Sequence, residues 1–146
     1  MTAAELGATR SEPPVTEVTQ PFWDATRDRR LVLQWSTTCG RPVQYPREVC
    51  PYCASSAMEW RPATGFGTLY AFTVEHKMAS PLLGREGPYA VALVELDEGV
   101  RLLSNIVDCA MEDLEVGMAL QVTWEPLGDG RHLPQFQPRS AGTPRD

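Results

Sequence analysis

The chain has 146 residues, 42% of them hydrophobic, with a formal net charge of -6 and an isoelectric point near 4.9. This length can bury one ordinary core, so we expect one β-domain with a small appendage. The acidic balance argues against nucleic acid or an anionic membrane as a partner, because both bind basic surfaces through counterion release.

Localisation follows from what the sequence lacks. No run approaches the roughly 18 apolar residues of a membrane span, and the N-terminal segment has no basic and apolar regions like those of a signal peptide. Three of the four cysteines cluster at metal-like spacing and Cys109 lies apart, which favours a reducing compartment over a disulfide framework. We predict a cytoplasmic protein.

The N-terminal region divides into an arm and a ribbon. Residues 1–19 contain Pro13 and Pro14 and no apolar period, so we expect a flexible or partner-wrapped arm. Residues 20–61 begin with a short helix beside Phe22 and Trp23 and continue as a small ribbon.

The ribbon sequence is WSTTCGRPVQYPREVCPYC, residues 35–53. Cys50 and Cys53 form a C-P-x-C turn, and Cys39 precedes a glycine, so the two knuckles of a zinc ribbon are predicted to face each other. A four-cysteine ribbon would also need a cysteine at position 36, where this chain has Ser36.

Three interpretations of the cysteines stay open. Cys39, Cys50 and Cys53 could hold zinc, although a serine hydroxyl is a poor zinc ligand at neutral pH. Alternatively, the ribbon is a metal-free relic that holds together by packing its aromatic residues. Redox chemistry at Cys50 and Cys53 is a third interpretation, but no helix N-terminus follows that would lower a thiol pKa.

After Pro62 the pattern becomes that of short strands with glycine and proline signals between them. Strands are predicted at 67–75, 88–96, 100–107, 118–125 and 132–137, with one or two helical turns at 110–116. A helix between the third and fourth of five strands is the order of an OB-fold barrel. We therefore predict a mainly β fold, with the barrel at 62–138 and a disordered tail at 139–146.

The sequence shows no catalytic constellation, so we predict no catalytic residues. His76 and His132 have no nucleophile or carboxylate at a recognisable spacing, and Cys109 has no visible activator. Arginines gather around the ribbon, among them Arg41 and Arg47, where they could meet an acidic partner or the phosphates of a coenzyme. A solvated positive edge is the simpler interpretation.

A family resemblance covers residues 20–138. Its specific parts are CGRPVQYPREVCPYC, the hairpin PYAVALVELDEGVRLLSNIV and LPQF near the end. In these the chain resembles an acyl-CoA-associated family that joins a rubredoxin-like zinc ribbon to an OB-fold and was long known as a domain of unknown function. Similar members accompany thiolase-like or lipid-transfer-protein-like enzymes, including retro-aldolases of steroid side-chain degradation, and others accompany enoyl-CoA hydratases.

The resemblance implies a non-catalytic subunit of a hetero-oligomer that stabilises a thiolase-like partner and shapes its acyl-CoA channel. A free-standing acyl-CoA-binding module is the alternative, and an OB-fold nucleic-acid binder ranks third. Partner contacts are expected at apolar residues, and the phosphates of CoA at Arg41 and Arg47. The expected partner contacts are Phe22, Trp23, Leu82, Leu83, Leu133 and Phe136. Phe22 and Trp23 could equally pack the N-terminal helix on the ribbon, and the segment from Leu133 to Phe136 could equally be structural as the closing strand of the barrel.

Overall fold

A short helix, a three-stranded ribbon and a closed barrel follow one another along the chain. The computed structural model describes residues 12–76 and 88–139. Helix α1 spans Gln20–Arg27, and the ribbon contains β1 (Val32–Ser36), β2 (Pro42–Val43) and β3 (Met58–Pro62). The barrel contains β4 (Phe66–Glu75), β5 (Tyr89–Leu96), β6 (Arg101–Ile106), β7 (Ala119–Pro126) and β8 (His132–Pro138).

Helix α1 is short and its apolar side faces the protein. Pro21 lies in its first turn, where a missing N–H costs no hydrogen bond. Phe22 and Trp23 are buried and meet edge to face, with ring centroids 5.0 Å apart. The predicted helix is confirmed, and it ends at Arg27.

The ribbon is an antiparallel sheet in which β1 lies between β2 and β3. Leu33 of β1 is almost fully buried and belongs to the same apolar core as the barrel residues. Gln34, also buried, donates from its amide nitrogen to the Arg47 carbonyl and accepts from the Arg47 N–H, both at 2.8 Å. This pair of bonds fixes the loop after β2 against the sheet.

The barrel closes in the order β4-β5-β6-β8-β7, which confirms the predicted OB-fold topology. β5 alternates between fully buried residues such as Ala92 and Val94 and half-buried residues such as Val91 and Leu93. This pattern explains why β5 is apolar on both faces. Its inner face fills the core, and its outer face is partly covered.

The connection between β6 and β7 is shorter than the sequence indicated. Only a single 3₁₀ turn forms, at Met111–Asp113, although it lies between the third and fourth barrel strands as predicted. Ala110 and Leu114 on either side have extended backbones, and no side chain caps the turn. The extended backbone at Leu114 ends the turn after Asp113.

Helix α1 is fastened to the start of β8. The Thr26 hydroxyl accepts the His132 N–H at 3.2 Å and donates to the Trp23 carbonyl at 2.6 Å. The His132 ring atom Nδ1 lies 2.8 Å from the Thr26 carbonyl oxygen, and Arg27 donates to the Asp129 carbonyl at 2.7 Å. These bonds join the ribbon end of the molecule to the barrel.

Arg131 holds the segment before α1 in place. Its side chain is 5% exposed and makes an ion pair with Asp129 at 2.7 Å. It also donates to the Pro13 carbonyl at 2.9 Å and lies 3.7 Å from a Glu12 carboxylate oxygen. The guanidinium stacks on Trp23 at 4.9 Å from the ring centroid. A buried cation thus connects three separate parts of the chain.

Some predictions concern parts of the chain that are not described. Leu82 and Leu83, most of the predicted arm and nearly all of the predicted tail lie outside residues 12–76 and 88–139. None of the helices within those ranges has the length and apolar character that crossing a bilayer would require.

Candidate metal centre and partner-binding cleft

The two knuckles of the ribbon bring three thiols together. The first knuckle follows β1, where the Gly40 N–H donates to the Ser36 carbonyl at 2.9 Å and Gly40 adopts a left-handed φ of 73°. The second follows Cys50, whose carbonyl accepts the Ala54 N–H at 2.9 Å. Each turn therefore aims its cysteine side chains at the same point.

Within this cluster the sulfur atoms of Cys39, Cys50 and Cys53 lie within 4.8 Å of one another. The Cys39 and Cys50 sulfurs are 3.7 Å apart. Cys50 is buried whereas Cys39 is exposed, so one side of the cluster faces the protein interior and the other faces solvent. Ser36, fully buried at the end of β1, lies beside the thiols.

The environment of Cys50 favours its thiolate. Burial raises the pKa of the Cys50 thiol, but hydrogen bonds from the backbone amides of Tyr52 and Cys53 and from the neighbouring thiols outweigh it. Together they lower the pKa from 9.0 to about 7. Because zinc binds the thiolate and not the thiol, the cluster is prepared for a soft metal ion.

The donor set fits zinc on its chemistry. Three cysteine sulfurs converge, and within the described ranges no histidine or carboxylate joins them. Zinc would bridge the two knuckles and stabilise the fold there, as structural zinc ions do. In the sequence, the absence of a helix N-terminus that would lower a thiol pKa speaks against redox chemistry. No helix begins at Cys50 or Cys53, but hydrogen bonds lower the pKa of Cys50 without one.

A second feature is an apolar cleft of about 360 Å³ between helix α1, the loop after β2 and the outer face of the barrel. Phe22 and Trp23 of α1, Tyr45 of the loop and Leu103 of β6 are among its walls. Leu103 is 57% exposed and Tyr45 is 50% exposed. Large apolar side chains in this arrangement are typical of a surface that binds a partner or a ligand.

The cleft lies at an open part of the barrel wall. β6 pairs with β5 from Arg101 to Ile106, but it pairs with β8 only at Ile106. On the side away from β5, the Leu103 N–H donates to the Tyr45 hydroxyl at 3.0 Å. A ribbon side chain therefore takes the place of a strand partner at this point.

The predicted site residues are distributed unevenly around these features. Phe22, Trp23 and Leu133 line the cleft, but the first two are 8% and 9% exposed, so they offer little surface. Phe136 is fully buried in the barrel core and has no exposed surface for a partner, which corrects that expectation. Its role is structural, because it fills the barrel opposite Val122.

The two predicted CoA-binding arginines are exposed on the ribbon. Arg41 stacks on the Tyr52 ring at 4.9 Å from its centroid. Arg47 directly follows Pro46, which lines the cleft, and its backbone is held by Gln34. In sequence, Arg47 is therefore closer than Arg41 to a residue that lines the cleft.

Sequence reasoning missed Tyr45 and Leu103 as surface residues. The available signal was the alternation along β6, where Leu103 falls between outward-facing Arg101 and Asn105. An apolar residue on the polar face of a strand indicates a contact. Tyr45 carried no such signal, because it lies in a loop.

Other chemically active side chains are engaged elsewhere. Burial raises the pKa of the Cys109 thiol, and the carboxylates of Asp113 and Glu112 raise it further, so its thiolate is disfavoured. The His132 ring is bonded to helix α1, as described above. Neither group meets the requirements of a nucleophile and base pair.

Comparison with known proteins identifies the family. Residues 23–59 match the rubredoxin-like zinc ribbon domain of ChsH2, and residues 60–125 match its C-terminal OB-fold domain. A DUF35 domain-containing scaffold protein of Methanocaldococcus jannaschii is 34% identical over 115 residues, covering 69% of this chain and 81% of that protein. The chain belongs to the DUF35 family.

Longer relatives are named as enzyme subunits. The chain is 35% identical over 131 residues to a probable enoyl-CoA hydratase alpha subunit of Thermomonospora curvata, covering 90% of this chain. It is 28% identical over 118 residues to the 3-oxo-4,17-pregnadiene-20-carboxyl-CoA hydratase alpha subunit of Mycobacterium tuberculosis, covering 80% of this chain. It spans 40% of the first relative and 37% of the second.

A solved structure shares the whole architecture. A chain of an "Ltp2-ChsH2(DUF35) aldolase" is 35% identical and superimposes with a TM-score of 0.80, covering 87% of this chain and 98% of that chain. The zinc ribbon followed by an OB-fold is therefore confirmed for this DUF35 chain. Its relatives are scaffold proteins and subunits of hydratases and an aldolase, which supports an accessory-subunit role.

Proposed function

We propose that this DUF35 chain is a non-catalytic accessory subunit that binds and stabilises a thiolase-like enzyme acting on an acyl-CoA. One observation carries the proposal: the chain resembles nearly the whole DUF35 chain of an aldolase, at 35% identity.

The apolar cleft supplies a surface for the enzyme. Its outer wall, formed by Leu103 and Tyr45, is exposed, whereas Phe22 and Trp23 form a buried wall. An interface of this kind has an apolar centre that accepts a side chain of the partner. We therefore place the enzyme contact at the cleft, with Leu133 as a further lining residue.

The enzyme partner is proposed from the family relatives. A retro-aldolase of steroid side-chain degradation agrees with the aldolase that shares this architecture and with the pregnadiene-carboxyl-CoA hydratase relative. An enoyl-CoA hydratase is a further proposed partner, because one relative is named as a probable enoyl-CoA hydratase alpha subunit and another as the alpha subunit of a pregnadiene-carboxyl-CoA hydratase. The accessory chain would border the acyl-CoA channel of the complex.

Co-expression with a thiolase-like enzyme tests the proposal. We expect the enzyme to be more soluble and more active with the chain than without it, and the two to elute together. Equal solubility and activity without the chain would refute the accessory role.

A pair of surface variants then locates the contact. Leu103→Glu places a charge in the cleft, whereas Val116→Glu changes an equally exposed residue, at 63%, outside the cleft. We expect Leu103→Glu to abolish co-elution and Val116→Glu to preserve it, with unchanged melting temperatures for both isolated chains. Co-elution that survives Leu103→Glu would remove the cleft from the interface.

A free-standing acyl-CoA-binding module is the second candidate. The volume of the cleft, about 360 Å³, falls within the range of about 300–1,000 Å³ that is usual for small-molecule sites. Arg47 beside it could pair with a phosphate of the coenzyme. Calorimetry of the isolated chain with an acyl-CoA decides, because no heat at millimolar ligand would leave the partner proposal alone.

A further inference from the structure

Ser36 lies where a fourth metal ligand would be. Its hydroxyl oxygen is 3.5 Å from the Cys53 sulfur, and the Cys39 N–H donates to it at 3.2 Å. The side chain is fully buried at the end of β1, with its hydroxyl turned toward the thiols and away from solvent. The first knuckle thus presents both Ser36 and Cys39 to the cluster.

Two of the atom separations match edges of a zinc tetrahedron, and all three sulfurs lie within 4.8 Å of one another. With Zn–S bonds of about 2.3 Å and a Zn–O bond of about 2.0 Å, an edge between two sulfurs is about 3.8 Å and an edge between sulfur and oxygen is about 3.5 Å. The Cys39–Cys50 sulfur separation is 3.7 Å, and the Ser36–Cys53 separation is 3.5 Å. These pairs share no atom, so they correspond to two opposite edges of a tetrahedron whose vertices are the three sulfurs and the Ser36 oxygen.

We propose that the Ser36 hydroxyl is the fourth zinc ligand, so that the site is made of three thiolates and one serine oxygen. Within the described ranges no histidine, aspartate or glutamate completes the cluster. One lone pair of the hydroxyl accepts the Cys39 N–H, and the other is available to the metal. Ser36 therefore takes the place of the fourth cysteine both in the sequence and in space.

The ligand set has a definite charge consequence. Three thiols release their protons when Zn²⁺ binds, and a neutral hydroxyl leaves the site with a net charge of about -1 instead of about -2 for four thiolates. Zinc is then held less tightly than in a four-cysteine ribbon. Because Ser36 closes the buried side, no coordination position is left open for an external anion.

The test uses the full chain and does not depend on the proposed enzyme partner. Zinc affinity is measured by competition with a chromophoric chelator, and Co²⁺ substitution reports the ligands through its absorption spectrum. The variants are Ser36→Ala, Ser36→Cys and, as a matched control, Ser55→Ala. The Ser55 hydroxyl also lies in the ribbon but bonds Thr38 and the Ala57 N–H.

We expect Ser36→Ala to weaken zinc binding by about tenfold or more, since replacing even a residue that only hydrogen-bonds a metal ligand costs about 10–100-fold. Added azide should shift the Co²⁺ bands of Ser36→Ala but not those of the wild type or Ser55→Ala. Ser36→Cys should bind zinc at least tenfold more tightly than the wild type. Its Co²⁺ form should show more intense thiolate charge-transfer absorption.

Wild-type affinity in Ser36→Ala would overturn the proposal, as would a wild-type chain that binds no zinc. If Ser36→Ala fails to fold, Ser36→Cys decides: a cysteine at this position that adds no thiolate bond shows that the side chain does not point at the metal.

Discussion

Replacing Arg131 with alanine should destabilise the chain far more than the same change at Arg61. The two arginines share two kinds of contact. Each pairs with an acidic residue two positions earlier, and each stacks on a tryptophan at 4.9 Å from the ring centroid. They differ in burial, because the side chain of Arg131 is 5% exposed and that of Arg61 is 46% exposed. Arg131 also donates to the Pro13 carbonyl and lies near Glu12.

The magnitude follows from that difference. Losing charge-assisted hydrogen bonds in a buried position costs about 1.5–3 kcal/mol, and a desolvated cation–π contact adds about 0.5–2 kcal/mol. The carboxylates of Asp129 and Glu12 are 42% and 28% exposed, so water can partly solvate them after the change. We therefore expect a loss of about 2–4 kcal/mol for Arg131→Ala, against about 0–1 kcal/mol for Arg61→Ala.

Thermal unfolding with both variants in the same buffer measures this difference. At about 3 °C per kcal/mol for a chain of this size, Arg131→Ala should lower the melting temperature by about 6–12 °C. Limited proteolysis should also cut earlier near Pro13, because Arg131 holds its carbonyl. Equal losses in the two variants would refute the reasoning, since burial would then make no difference.

Three further predictions concern single positions. In the metal-free chain, the stabilisation from the Cys50 thiolate should be fully present above pH 9.0 and lost as the pH falls through about 7. The difference in melting temperature between wild type and Cys50→Ser should therefore grow from about pH 6 to about pH 9. Gly67→Ala should cost about 1–3 kcal/mol in denaturant unfolding, because its Cβ would lie 2.5 Å from the Glu95 carbonyl oxygen; an unchanged midpoint would contradict this. Gln34→Leu should leave both backbone groups of Arg47 without their partner and cost about 1–3 kcal/mol, seen as faster amide exchange at residue 47.

Much of the fold was predictable because its signals are local. Period-two apolar patterns and the glycines between them gave the barrel strands, and strand order followed from the position of the connection before β7. The helical turns at 110–116 were overestimated, since Leu114 takes an extended backbone beside the short turn at Met111–Asp113. Local propensity does not reveal where the chain must leave a helix to continue into a strand.

The candidate site was only half visible in the sequence. Cysteine spacing identified the metal cluster, because ligand geometry is encoded in short turns. The apolar cleft was not visible, since Tyr45 and Leu103 come from distant segments that meet only in the folded chain. The sequence left a partner contact and a structural role both open for Phe136, because its burial depends on barrel closure between β6 and β8.

The hydrogen bonds between helix α1 and β8 also determine when the N-terminal half can reach its native structure during synthesis. Thr26 bonds a residue 106 positions later, and the Arg131 contact with Pro13 spans 118 positions. At about 5–20 residues per second, a ribosome needs about 5–20 s to make that intervening chain. Throughout this interval Phe22 and Trp23 lack the surface that buries them, so the nascent chain is exposed to aggregation until its last strand emerges.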